Sequence, residues 1–301
     1  MVVQNPYAAR LAATPVREAG VPVFGSTTRY WDYGPADAPL TIVAVHGFRG
    51  EHHGLEPIVA QLRGLRIISP DLPGFGESTP MTERAHDIPG YADWLTAFVD
   101  ALRLPQRPII LGHSFGSIVT SAAVAGGLVT PRLILINPIA APALKGPKAF
   151  PTALAVLYFT MGARLPARLG HGLLANRAIT RGTSVGLVKT RDRALRRWIH
   201  YQHDTYFSRF SDRDTLLEGF RASTGNNVQQ YAAAITVPTL LIAAELDPIT
   251  TVADEEKLRD LLPNAELHVI DGVGHLIHYE RPREAAELVV SFLGAGTVVD
   301  R

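Results

Sequence analysis

The chain has 301 residues, 47% hydrophobic and 19% charged, a composition that excludes an intrinsically disordered protein. It contains no cysteine, which excludes disulfides, thiolate metal sites and a cysteine nucleophile, and we expect a cytoplasmic protein. The first 20 residues have no long apolar core, so we expect no signal peptide. No uncharged apolar run approaches the ~20 residues of a membrane span.

The net charge of +1 is unevenly distributed along the chain. Residues 139–221 contain 14 Lys and Arg against 5 Asp and Glu, a net charge of +9, and the remainder carries −8. This asymmetry predicts two structural regions with different surroundings.

Apolar, β-branched runs recur along the chain and predict buried strands at residues 41–45, 66–69, 109–111, 133–136, 239–242 and 266–270. Helix-like segments lie between most of them, at residues 55–62, 91–102, 117–125, 255–262 and 282–293. This alternation predicts an α/β fold with a doubly wound, mostly parallel sheet. Two earlier runs, at residues 21–24 and 28–31, fit an antiparallel edge.

The strand–helix alternation stops after Asn137 and resumes at Val237. The basic segment between them has several glycines and prolines and no clear strand, with helix-like stretches at residues 153–161 and 192–207. We therefore expect a helical cap at residues 139–225, inserted into a core formed by residues 1–138 and 226–301.

A serine lies between glycines in Gly112-His113-Ser114-Phe115-Gly116, after a predicted strand and before a predicted helix. This context is typical of a nucleophile elbow, a turn so tight that only small residues fit beside the serine. Ser114 is therefore the candidate nucleophile.

A serine hydroxyl needs a neighbouring base, and the base needs an orienting carboxylate. Asp247 and His275 each follow a predicted strand, at the sheet edge where ligands bind in α/β proteins. Glu245 and His278 are the alternatives for the acid and the base. His275 is favoured because flanking glycines let it project from its loop, and Asp247 is favoured over Glu245.

An oxyanion hole needs backbone N–H groups directed at the developing negative charge. One is expected from Phe115, after the nucleophile, and one from Phe48, in the loop after the strand at residues 41–45. The loop at residues 70–78 also follows a strand, and we expect it to shape the floor of the site.

These motifs resemble those of the α/β-hydrolase superfamily, in its lidded esterase-like branch. The matching segments are His46-Gly47-Phe48, the loop from Asp71 to Ser78, the elbow around Ser114, Asp247, and Gly274-His275. They appear in family order over residues 40–295. The resemblance implies Ser-His-Asp chemistry and no cofactor; we expect no metal.

The function expected from the resemblance is hydrolysis of a small to medium carboxylic ester through an acyl-enzyme. Epoxide hydrolases and haloalkane dehalogenases resemble this chain but have aspartate where Ser114 stands. A C–C bond hydrolase remains an alternative, although such enzymes often carry tryptophan where Leu276 stands. A second alternative is a non-catalytic or slow ligand receptor on the same fold, as some relatives are.

The substrate is expected to contact Gly47, Leu157 and Leu276. The cap's basic residues either attract an anionic partner or surface or form a solvated outer face. The solvated face is the favoured interpretation. His200 and His203 have helical spacing with Asp204, which fits half of a metal site, but no third ligand is implied and a solvated helix face is favoured. We expect a monomer or homodimer that binds a small molecule and no nucleic acid.

Overall fold

The computed structural model describes residues 3–142 and 149–294, without the side chains of residues 149–154. It contains an eight-stranded sheet in the order β1-β2-β4-β3-β5-β6-β7-β8. The strands are β1 (Val16–Val23), β2 (Ser26–Tyr33), β3 (Thr41–Val45), β4 (Arg66–Pro70), β5 (Ile109–His113), β6 (Leu133–Ile136), β7 (Thr239–Ala244) and β8 (Ala265–Ile270). The β1–β2 and β2–β4 pairs are antiparallel, and all pairs from β4 to β8 are parallel.

Twelve α-helices are present in the described residues, on both sides of the sheet and in an insertion. They are α1 (Ala8–Ala12), α2 (Glu56–Val59), α3 (Ile88–Ala101), α4 (Phe115–Ala125), α5 (Ala149–Arg164), α6 (Ala167–Leu174), α7 (Arg177–Leu187), α8 (Arg193–Tyr206), α9 (Arg213–Gly225), α10 (Val252–Leu261), α11 (Ile277–Glu280) and α12 (Pro282–Leu293).

The central strands are buried on both faces, as their unbroken apolar runs predict. Every residue of β6 and β7 is buried, whereas the edge strands β1 and β8 are largely exposed. One face packs against α3, α4 and α10, and the other against α2 and α12. The predicted fold class, a doubly wound and mostly parallel sheet, is confirmed.

Five helices, α5 to α9, lie between β6 and β7, where the sequence predicts two. The additional helices begin at side chains that accept backbone N–H groups: Asn176 caps α7 and Asp212 caps α9. α6 has only eight residues and begins after Pro166. α6 and α7 each contain two interior glycines, which have low helix propensity.

Candidate active site

The turn that carries Ser114 is strained and leaves no space for larger neighbours. Ser114 has φ 53° and ψ −119°, a conformation that L-residues rarely adopt, between β5 and α4. A Cβ at Gly112 would lie 2.4 Å from the Thr120 hydroxyl, and one at Gly116 would lie 2.3 Å from the Val45 carbonyl oxygen. The glycines therefore allow the chain to turn here, and Ser114 remains partly exposed.

Three side chains from three strand ends form one hydrogen-bonded chain. The Ser114 Oγ lies 2.7 Å from His275 Nε2, and His275 Nδ1 lies 2.8 Å from Asp247 Oδ2. A carboxylate only accepts hydrogen bonds, so the Nδ1 proton points to Asp247 and Nε2 is left to accept from the Ser114 hydroxyl. This arrangement can take a proton from the serine as it attacks.

The Asp247 carboxylate is held in its ionised form by several donors. It accepts hydrogen bonds from the backbone N–H of Ile249 at 2.7 Å and Thr250 at 3.3 Å, and from Asn137 Nδ2 at 3.0 Å. Burial raises the pKa of Asp247, but His275 and the backbone donors outweigh it, so the pKa lies below its ordinary value. An ionised Asp247 can stabilise a positive charge on the His275 imidazole.

Asn137 donates a hydrogen bond to Asp247, a contact that fits a positioning role and that the sequence analysis missed. It follows β6 at the same sheet edge as Asp247 and has a φ of 45°. Asparagine tolerates this left-handed conformation better than most residues. Its position directly after a buried strand was the available signal.

The oxyanion-loop residues lie beside the elbow. A Cβ at Gly47 would be 3.1 Å from Ser114 Cβ, so the loop after β3 contacts the nucleophile. Phe115 is the first residue of α4, where an N–H has no partner within the helix. In the described parts of the chain, neither the Phe48 nor the Phe115 N–H donates to a protein acceptor. Both N–H groups are free to bind an oxyanion.

Arg49, beside Phe48, ties this loop to the inserted helices and was also missed. Its Nε donates to the Phe207 carbonyl at 2.9 Å and its Nη2 to the Leu174 carbonyl at 3.0 Å. These carbonyls lie at the C-terminal ends of α8 and α6, which attract cations. Burial lowers the pKa of Arg49, and its φ of 62° adds backbone strain.

The loop after β4 is hydrogen-bonded to the segment that follows β3. Asp71 Oδ1 accepts from the His52 N–H at 2.8 Å and from His52 Nδ1 at 2.9 Å, and its Oδ2 accepts from the Glu77 N–H at 2.8 Å. Burial raises the pKa of Asp71, but the bond to His52 and its other donors hold the pKa below the ordinary value. The His46 ring accepts from the Leu72 N–H at 2.9 Å.

An aromatic cluster stands next to the oxyanion loop. The Phe48 ring lies 6.2 Å from Phe115, 6.0 Å from Phe159 and 6.2 Å from Phe220, and the last two rings stack at 3.8 Å. Leu157, expected to contact substrate, is 55% exposed and is not brought to this cluster. Phe159, two residues further along α5, packs there.

Leu276 and the alternative side chains lie elsewhere. Leu276 is buried in a separate cluster with Val188, Trp198, Ile199 and Tyr279. Glu245 accepts from the Gly272 N–H at 2.8 Å and is exposed. His278 is buried with its ring 4.0 Å from that of His113, and burial lowers its pKa well below the ordinary value.

Two groups of histidines are candidate metal ligands. His200 and His203 both place Nδ1 within 2.7 Å of the Ser184 hydroxyl, and His203 is buried, so the favoured solvated helix face is wrong for His203. Among the described residues, Glu51, His52 and His53 also have potential ligand atoms within 4.8 Å of one another. However, His52 Nδ1 is engaged by Asp71 and His53 Nδ1 by Glu51. Both groups are internal hydrogen-bond networks.

No helix among residues 3–142 and 149–294 is long and apolar enough to cross a membrane.

Comparison with known proteins matches the sequence to the α/β hydrolase family over residues 42–288. Epoxide hydrolase A of Mycobacterium tuberculosis is 25% identical, over 89% of this chain and 94% of that protein. A 2-hydroxy-6-oxononadienedioate/2-hydroxy-6-oxononatrienedioate hydrolase of Cupriavidus pinatubonensis is 25% identical, over 84% and 86%. The crystal structure of the enol-lactonase from Burkholderia xenovorans is similar in fold, with a TM-score of 0.74, 20% identity and coverage of 92% and 100%. The chain therefore belongs to the α/β hydrolase family, whose members are typically hydrolytic enzymes.

Proposed function

We propose that this protein is a serine hydrolase that cleaves a carboxylic ester through an acyl-enzyme intermediate. The observation that carries the proposal is the hydrogen-bonded chain from Asp247 through His275 to Ser114, with distances of 2.8 and 2.7 Å. Asp247 accepts the proton of His275 Nδ1, and His275 Nε2 accepts that of Ser114, so their proposed roles are orienting acid, base and nucleophile.

The reaction would proceed in two halves. The Ser114 Oγ attacks the ester carbonyl carbon while His275 Nε2 takes its proton, and the N–H groups of Phe48 and Phe115 bind the oxyanion. The carbon–oxygen bond to the alcohol then breaks, and His275 returns the proton to the leaving oxygen. Water, deprotonated by His275, attacks the acyl-enzyme and releases the acid and free Ser114.

The helices between β6 and β7 bring aromatic side chains to the candidate site, which favours an apolar substrate. We propose that residues 139–225 are a cap over a core of residues 1–138 and 226–301, because α5 and α9 bring Phe159 and Phe220 to Phe48. An acyl chain gains about 0.8 kcal/mol per buried methylene against such walls. Turnover should therefore rise with chain length until the pocket is full.

The residue at position 114 distinguishes this proposal from epoxide opening, the activity in the name of the Mycobacterium tuberculosis relative. Relatives with that chemistry have an aspartate in the elbow, where this chain has Ser114. A serine nucleophile forms an acyl ester with a carbonyl substrate, so esters are the matching substrate class.

The test is hydrolysis of p-nitrophenyl acetate, butyrate, octanoate and hemisuccinate by the parent and by Ser114→Ala. We expect kcat/KM to rise from acetate to butyrate or octanoate, and the variant to lose on the order of 10⁴-fold in rate. Covalent labelling by a fluorophosphonate should disappear with the hydroxyl. Turnover by Ser114→Ala within tenfold of the parent would falsify the nucleophile, and no turnover by the parent would favour a receptor.

A further inference from the structure

The inserted helices expose a concentration of apolar side chains. Of the thirteen large hydrophobic residues that the described structure exposes most, six lie within residues 157–185, about a tenth of the chain. These six, which we call the apolar ridge, are Leu157, Met161, Leu165, Leu169, Ile179 and Val185, with exposed fractions between 36% and 63%. Exposed apolar side chains scattered singly need no explanation, but a concentration of them marks an interaction surface.

The ridge follows the helical period on α5. Leu157 and Met161 are four residues apart and share one face of the helix, while Phe159 is buried on the other side. Leu165 follows the end of α5, and Leu169 continues the series on α6. The buried residues needed to fold these helices are therefore separate from the exposed ones.

The charge of the same segment is of one sign. No Asp or Glu occurs between Asp100 and Asp192, so the sequence that carries the ridge has no acidic residue. Its exposed cations include Arg164, Arg168 and Arg177, on α5, α6 and α7. A solvated protein face normally mixes both signs of charge. Arg181 pairs with Asp204, and Arg213, which donates to the Leu165 carbonyl, pairs with Asp214, but no carboxylate among the described residues pairs with Arg164, Arg168 or Arg177. Apolar side chains beside such cations are complementary to an anionic lipid surface.

We propose that the apolar ridge and its flanking arginines dock this protein on the surface of an anionic lipid bilayer, without crossing it. The arginines would neutralise lipid phosphates while the leucines and Met161 enter the boundary between headgroups and acyl chains. The proposal goes beyond ester hydrolysis, because docking needs no turnover.

The test is flotation of the purified protein with phosphatidylcholine vesicles, with and without 30% phosphatidylglycerol, at low and high salt. We expect binding only with phosphatidylglycerol, weakened by salt as the charges are screened. Because each arginine near such a surface contributes about 1 kcal/mol, Arg164→Gln with Arg168→Gln should weaken partitioning about 30-fold. Leu157→Ser with Leu169→Ser should weaken it at least about tenfold.

The matched control is Val129→Ser with Leu261→Ser, which removes exposed apolar side chains, 58% and 48% exposed, outside the inserted helices. This variant should bind vesicles as the parent does. Equal binding to both vesicle types, no binding, or equal losses in the control and ridge variants would overturn the proposal. Dimerisation that requires Leu157 and Leu169, without vesicle binding, would instead assign the ridge to a second copy of the chain. The vesicle assay does not measure catalytic activity, so failure of the docking proposal would leave the proposed hydrolase function intact.

Discussion

Replacing Arg49 by Met tests whether one buried cation holds the oxyanion loop and the inserted helices together. Methionine keeps the Cβ and about the length of the aliphatic stem of arginine, so packing of the stem and the strain at φ 62° are retained. The substitution removes the donors to Phe207 and Leu174, at 2.9 and 3.0 Å, and leaves both carbonyls without the guanidinium.

The expected magnitude follows from these two bonds. Hydrogen bonds from a charged group contribute about 1.5–3 kcal/mol each, and relief of the buried charge offsets part of the loss. We expect the free energy of unfolding to fall by about 2–4 kcal/mol. Arg49→Lys should lose roughly half as much, because an ammonium lacks the fork that serves two acceptors.

Urea unfolding measures the stability, and p-nitrophenyl butyrate hydrolysis measures the function. Because Phe48 precedes Arg49, we expect kcat to fall about tenfold, less than loss of an entire oxyanion donor. Arg107→Met is the control, since its ion pair with Asp100 is exposed and contributes less than about 1 kcal/mol. If Arg49→Met were as stable and as active as Arg107→Met, the tether would have no role.

Three further outcomes are expected. Asn137→Gly keeps the positive φ but removes the donor to Asp247, and should lower kcat about tenfold with little change in KM; unchanged kcat would contradict its positioning role. Gly116→Ala should not give folded protein at parental yield, because its Cβ would meet the Val45 carbonyl; normal expression and activity would refute the tight turn. Burial raises the pKa of Asp32, but Arg66 and Arg17 outweigh it and hold the folded pKa below the ordinary value. The stability that Asp32 contributes is therefore complete above about pH 4 and is lost as pH falls through the folded pKa. The free energy of unfolding of Asp32→Asn, measured in urea, should therefore depend less on pH between 5 and 2 than that of the parent. An unchanged pH dependence would show that Asp32 does not contribute to it.

Local sequence determined most of the sheet and the order of the chemical groups. The strands at residues 41–45 and 133–136 have the predicted bounds, because buried parallel strands require uninterrupted apolar runs. The elbow was also predictable, because it is a local strand–turn–helix motif, although Gly116 is required by a contact with Val45 at the end of β3. Ser114, Asp247 and His275 each follow a strand of the same parallel sheet, which predicts their meeting at one edge.

Only the tertiary structure shows which further side chains form contacts around that site. Arg49 binds carbonyls 125 and 158 residues away, and Asn137 binds an acid 110 residues away, at separations that no local pattern encodes. The sequence of α5 is apolar on all sides, so periodicity could not tell that Phe159 packs inward while Leu157 faces solvent. That choice depends on the helices packed against α5, because burial belongs to the assembled neighbours of a residue and not to its own hydrophobicity.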